Sequence, residues 1–146
     1  MTGRRGWRRI GAPPPSRLAA AEARMARLAP DYPALAAETM AALRAALAAC
    51  AADPPVPGAG AGLFRAAHTL KGEGTSFGYP LVTDIAARLC AALEGGAARD
   101  PAARPLLAAH VTAIEAVLAA RLTGGGGPVG ARLLATLDGM AAARGG

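Results

Sequence analysis

Histidine and lysine are rare in this chain, and they meet in one place. The histidines are His68 and His110; of 16 basic residues, 15 are Arg and the exception is Lys71. The run His68-Thr69-Leu70-Lys71-Gly72 therefore sets an imidazole, an ammonium and a missing side chain at i, i+3 and i+4. On a helix, residues at these spacings share one face. An imidazole that is neutral at pH 7 is a nucleophile, and an exposed one can attack phosphorus in line if a donor is brought to it. An ammonium with three N–H donors can sit beside the phosphoryl oxygens that result. Glycine within a helix costs about 1 kcal/mol relative to alanine, and at i+4 it leaves room beside the ring. Together these residue types point to phosphoryl transfer through His68.

The helix that carries them must turn His68 outward. At about 100° per residue, Leu63, Leu70 and Phe77 fall on one line with Ala66, Ala67 and Gly74 between them, which predicts a core stripe. His68 lies about 200° from Leu70 on that wheel, while Arg65, Lys71, Gly72 and Thr75 lie within about 60° of it and Phe64 about 40° away. The histidine is thus expected at the surface. Phe64, Arg65, Thr75 and Tyr79 are expected to form the surface that docks a partner.

The rest of the chain reads as scaffold for that helix. Apolar residues make up 53%, mostly Ala and Leu, with 3% aromatics. These are strong helix formers, and no alternating strand pattern occurs. Proline and glycine punctuate the helices. After Pro13-Pro14-Pro15, Ser16 can cap a first helix to about Leu28. A second begins between Asp31 and Pro33 and ends by Ala52, with Met40, Leu43, Leu47 and Cys50 as its stripe. The third follows the linker at 53–62 and runs to about Phe77. The fourth starts at Pro80 and ends at Gly95-Gly96, carrying Val82, Ile85, Leu89 and Leu93. The fifth opens at Asp100-Pro101 and carries Leu107, Val111, Ile114, Leu118 and Leu122, with His110 at the boundary of that stripe. Gly124 to Gly127 is a break before a weaker helix over Val129 to Ala142. The fold class is all-α: an antiparallel up-down four-helix bundle with an additional N-terminal helix and a C-terminal helix. The expected division is a basic, Pro-rich, disordered tail at 1–15, the bundle with its N-terminal helix at 16–123, and the Gly-rich break with the last helix at 124–146.

At the residues around His68 the sequence resembles a known family. His68-Thr69-Leu70-Lys71-Gly72, with Gly78 ten residues after the histidine, is similar to the HxLKG…G motif of histidine phosphotransfer (Hpt) domains. The longer run HTLKGEGTSFGY most resembles the phosphotransfer domain of chemotaxis-type histidine kinases. The resemblance implies a four-helix bundle with an exposed histidine. His68 would carry a phosphoryl group, Lys71 would steady its oxygens, and Gly72 would leave the approach open. It further implies response-regulator receiver domains as partners, with a hybrid histidine kinase as a further one, and no cofactor on this chain, since Mg²⁺ comes with the receiver. Many members place Glu or Gln 22 residues after the histidine to bond the imidazole. This chain has Cys90 there, the candidate neighbour of the ring, and a thiol is a weak hydrogen-bonding partner. The expectation is therefore a free-standing monomeric phosphocarrier, not an enzyme with kinase activity, that takes phosphate from a receiver aspartate and passes it to another receiver.

Other classes account for less of the sequence. Formal net charge is +6, and Arg4, Arg5, Arg8 and Arg9 surround Trp7. A basic helical nucleic-acid-binding or adaptor protein would explain that arm but leaves the HTLKG run without a role, so nucleic acid is not the expected partner. A degenerate bundle that docks receivers without carrying phosphate would explain Cys90 but not the intact His-x-x-Lys-Gly. No signal peptide and no membrane span are expected. The isolated Cys50 and Cys90 fit a reduced, cytoplasmic chain, Cys50 as a core thiol. No metal site is expected from His68, His110, Cys50 and Cys90, which fall on four different helices without paired spacing.

Overall fold

The computed structural model describes residues 16–21 and 31–145. Two compact units divide the chain, Met1–Asp31 and Tyr32–Gly146. In the first, residues 16–21 form a helical stretch with every side chain exposed. The expected continuation to Leu28, and the tail at 1–15, lie outside the described residues.

In the second unit a helical turn, Tyr32–Leu35, leads into helix α1, Ala37–Ala51. Helix α2 is Ala59–Glu73, α3 is Pro80–Glu94, α4 is Arg104–Ala119 and α5 is Gly127–Gly145. Each of α1 to α4 packs on its neighbour in sequence, and α4 returns to α1, closing a four-helix bundle. Helix α5 packs on α3 and α4. Among the described residues there is no strand.

Local chemistry sets the helix ends. Gly58 has φ +80 at the start of α2, and Gly96 has φ +91 beyond the end of α3. Left-handed backbone of this kind strains any residue with a Cβ. Pro80 opens α3, where its missing N–H costs nothing. Asp100 accepts from the Ala102 N–H at 3.0 Å and caps a 3₁₀ turn, Pro101–Ala103, that runs into α4. The fifth expected helix thus starts slightly later than its Asp-Pro signal suggests, and it ends at Ala119 before Arg121, whose φ is +53.

The core follows the expected stripes except at Phe77, with Met40, Leu47, Leu93 and Leu122 packed at its edge and only partly buried. Leu43, Leu63, Leu70, Val82, Ile85, Leu89, Val111 and Ile114 are fully buried. Complete burial of each such side chain is worth about 1.5–3 kcal/mol. His110, expected at a boundary, is instead 2% exposed, because α5 covers the side of α4 that a bare bundle would leave open. One described stretch, Pro101–Ala119, has the length and a mean hydropathy of 1.3 that suit a bilayer crossing, yet half of it is buried within the protein. Its apolar residues face the bundle, as in the core helix of a globular domain.

Helix α5 belongs to the same compact unit as the bundle, and the residues before Tyr32 do not. The Gly124 N–H donates to the Gly78 carbonyl at 3.0 Å, and Leu137 of α5 is 2% exposed. The glycines at 124–127 make a tight corner that docks the last helix.

Candidate functional site

His68 stands two-thirds of the way along α2, and its side chain is exposed. Leu63, Ala66, Ala67 and Leu70 are buried on the opposite side of the same helix. The wheel therefore places the histidine correctly. It fails beyond the end of the helix. Helix α2 stops at Glu73, and Thr75–Phe77 form a 3₁₀ turn, so Phe77 leaves the stripe. Phe77 is 38% exposed, and its ring stacks on Tyr32 at 4.9 Å.

The break occurs at Gly74. A Cβ there would lie 2.5 Å from Thr83 Oγ1 and 2.8 Å from the Tyr79 carbonyl, so only glycine allows α3 to approach this closely. The Thr75 N–H and hydroxyl both bond Thr83 Oγ1, at 2.8 and 3.0 Å. Gly78 closes the turn with φ +85. Gly72 is different. A Cβ there would meet nothing within 4 Å, and the position is exposed. No packing contact among the described residues requires that glycine.

The four residues expected to dock a partner do not all reach the surface. Phe64 is half-buried, and Arg65 and Thr75 are exposed. Tyr79 is 5% exposed and packs against Tyr32, ring centroids 5.6 Å apart. It is a core residue, because the turn after α2 folds back and carries Tyr79 beneath the Tyr32–Leu35 segment rather than outward. Tyr32, which the sequence did not single out, is the hub of this small aromatic cluster. Its hydroxyl is buried; burial first, and then the nearby Glu73 carboxylate, push its pKa up to about 12.

Around the imidazole the electrostatics are sparse. Lys71 is exposed in the last turn of α2, where a positive charge suits the helix dipole. Among the described residues neither Lys71 nor Arg65 is in an ion pair. His68 makes no hydrogen bond to any described residue; its ring contact is with Phe64, centroids 5.9 Å apart and planes 14° from parallel. Cys90 is 2% exposed. Burial pushes its thiol pKa up, an effect partly opposed by the Lys71 charge. Cys90 is thus a protonated core thiol near Lys71, with no hydrogen bond to the ring. Phe64 and Arg65 also line a groove of about 660 Å³ with Val56, Leu93 and Arg99. Among the described residues no group of three or more His, Cys, Asp or Glu is placed to hold a metal ion.

A family model, Hpt domain, matches residues 31–143. The chain belongs to the Hpt domain family. No curated protein and no solved structure matches it. The match takes in most of α5 and begins one residue before the second compact unit. Hpt domains carry phosphoryl groups on histidine within two-component phosphorelays, have no kinase activity of their own, and interact with receiver domains.

Proposed function

We propose that this Hpt protein carries phosphate on His68, taking it from a receiver-domain aspartate and passing it to a second receiver. The observation that carries this reading is the exposure of His68 on α2 beside an open Gly72 and Lys71, which is in no ion pair with a described residue. His110, the other histidine, is 2% exposed and out of reach of a protein donor.

The step needs little from this chain. The lone pair of an unprotonated ring nitrogen forms the N–P bond as the P–O bond to the receiver's aspartate breaks, and the carboxylate leaves with that electron pair. Transfer onward is the reverse on a second receiver. Phosphoryl transfer depends mainly on positioning and charge stabilisation. Lys71 steadies the phosphoryl oxygens, Gly72 admits the partner's backbone, and Phe64 and Arg65 contribute to the docking surface. The Mg²⁺ that further neutralises the phosphoryl charge comes with the receiver. A receiver aspartyl phosphate suits this chain better than direct phosphorylation by a kinase, because the mixed anhydride is already activated and the buried Cys90 gives the imidazole no hydrogen bond. We place the carrier in the cytoplasm, acting as a monomer.

Incubation with phosphorylated receivers tests the reading. The expected result is an acid-labile, base-stable label on this chain that His68→Gln abolishes while leaving the circular dichroism spectrum unchanged. Label that persists in His68→Gln, or none with any receiver offered, refutes it.

A further inference from the structure

An imidazole on an exposed helix face turns about two side-chain torsions unless something holds it. No described residue gives His68 a hydrogen bond. What the ring does have is Phe64, one turn earlier on the same helix, with centroids 5.9 Å apart and planes 14° from parallel. Side chains on a helix lean back toward its N-terminus, so His68 leans over Phe64. The near-parallel rings at this separation form an offset stack, one of the favoured aromatic geometries. Phe64 is itself held, since it is half-buried and packs against the core cluster.

The stack has a chemical consequence that a hydrogen bond would not. The nitrogen lone pair lies in the plane of the imidazole, at its edge. A neighbour packed against the ring face fixes that plane and leaves both nitrogens free, whereas a hydrogen-bond tether occupies one of them. We propose that Phe64 is a positioning residue: anchored at the edge of the core, its ring restricts the rotation of the His68 imidazole and presents the nitrogen edge to the phosphoryl donor. This rests on His68 being the phosphoacceptor. It is distinct from docking, although Phe64 also lines the groove beside the site.

Ordering one side chain costs about 0.5–1.5 kcal/mol, so losing the pre-set orientation should slow phosphorylation roughly two- to ten-fold. Docking and positioning separate if no partner is present. The full chain is phosphorylated with phosphoramidate, a small donor that needs no docking surface, and the rate at His68 is compared for wild type, Phe64→Ala, Phe64→Leu and Phe64→Tyr. In parallel, three-bond couplings and the ring-proton shifts of His68 report its rotamer by NMR. Wild type and Phe64→Tyr should share one rotamer and similar rates. Phe64→Ala and Phe64→Leu should show averaged couplings and the slower rate with the helical signal intact. Wild-type rates and a single rotamer in both variants would overturn the proposal. So would a loss confined to transfer from receivers, which would make Phe64 a docking residue only. If wild-type His68 takes no phosphoryl group from either donor, the phosphocarrier reading fails instead, and the couplings still decide whether Phe64 orders the ring.

Discussion

Gly124 donates its N–H to the carbonyl of Gly78 at 3.0 Å, joining the corner before α5 to the turn that ends the histidine-bearing segment. Further along the chain, Arg88 of α3 pairs with Asp138 of α5 at 2.7 Å. Half-exposed ion pairs contribute little, so the energetic weight of the docking rests on Leu137. Leu137→Ala should lower stability by about 2–4 kcal/mol, whereas Val129→Ala, at a position 57% exposed, should stay within about 0.5 kcal/mol of wild type. Urea denaturation measures both. Equal, small effects would show that α5 is an appendage rather than part of the domain.

The glycines of the motif divide by cause, and the division can be measured. Gly72→Ala should stabilise the domain by about 0.5–1 kcal/mol, because it removes a helix-weakening residue and meets no neighbour. It should nonetheless slow transfer from a receiver, since the added methyl stands one turn from His68 where the partner approaches. Gly74→Ala should do the opposite in the first measurement. Its Cβ collides with Thr83 and Tyr79, and overpacking of that kind costs about 1–3 kcal/mol. A Gly72→Ala protein that is more stable and transfers at the wild-type rate would remove the argument that this glycine serves access.

Much of this was legible in the sequence, and the parts that were not have a common reason. Helical periodicity placed Leu63, Leu70 and His68 on the correct sides of α2, because inside one helix the angle between residues is fixed. It misplaced Phe77, because the helix ends at Glu73 and beyond that point the wheel no longer applies; Tyr79, expected at the docking surface from beyond the helix, is carried into the core by the same turn. The signal was present in Gly74 and Gly78, two glycines flanking a Thr-Ser-Phe run, a pattern that suits a turn. His110 was misjudged for another reason. Its burial depends on α5, whose weak Gly-rich start hides the docking, and periodicity along α4 carries no information about a covering helix.

The two thiols give a simpler test. Cys50 and Cys90 are free, and 5% and 2% exposed. Burial raises the pKa of both, so near neutral pH each is a protonated thiol and a poor nucleophile. A maleimide added to the folded protein at pH 7 should label neither within the time that labels both in urea. Rapid labelling of Cys90 alone would mean that α3 opens beside Lys71, and that the residue is more accessible to the site than its burial implies.

Acid should loosen the packing of α3, α4 and α5 before it affects the rest of the bundle. His110 of α4 faces Arg88 of α3 and Asp138 and Arg144 of α5 across a cavity of about 260 Å³. Its Nδ1 lies 2.7 Å from the Leu106 carbonyl, which assigns the ring proton to Nδ1 as donor. Burial pushes its pKa below the ordinary 6.5; the Leu106 bond opposes this, Arg88 reinforces it and Asp138 opposes it. Well above pH 6.5 the ring is neutral in both folded and unfolded chains and no proton-linked penalty exists. As pH falls through 6.5 the unfolded chain binds the proton first, so stability drops until the lower folded-state value is passed, by at most about 1.4 kcal/mol per pH unit for one proton. Asp138, held below the ordinary 3.8 by its bond to Arg88, titrates in a separate and more acidic window. Thermal unfolding between pH 7.5 and 5 should therefore show a falling midpoint in the wild type. The corresponding curve for His110→Gln, which keeps a donor for Leu106 but cannot titrate, should be flatter. The same slope in both proteins would assign the pH dependence to other groups.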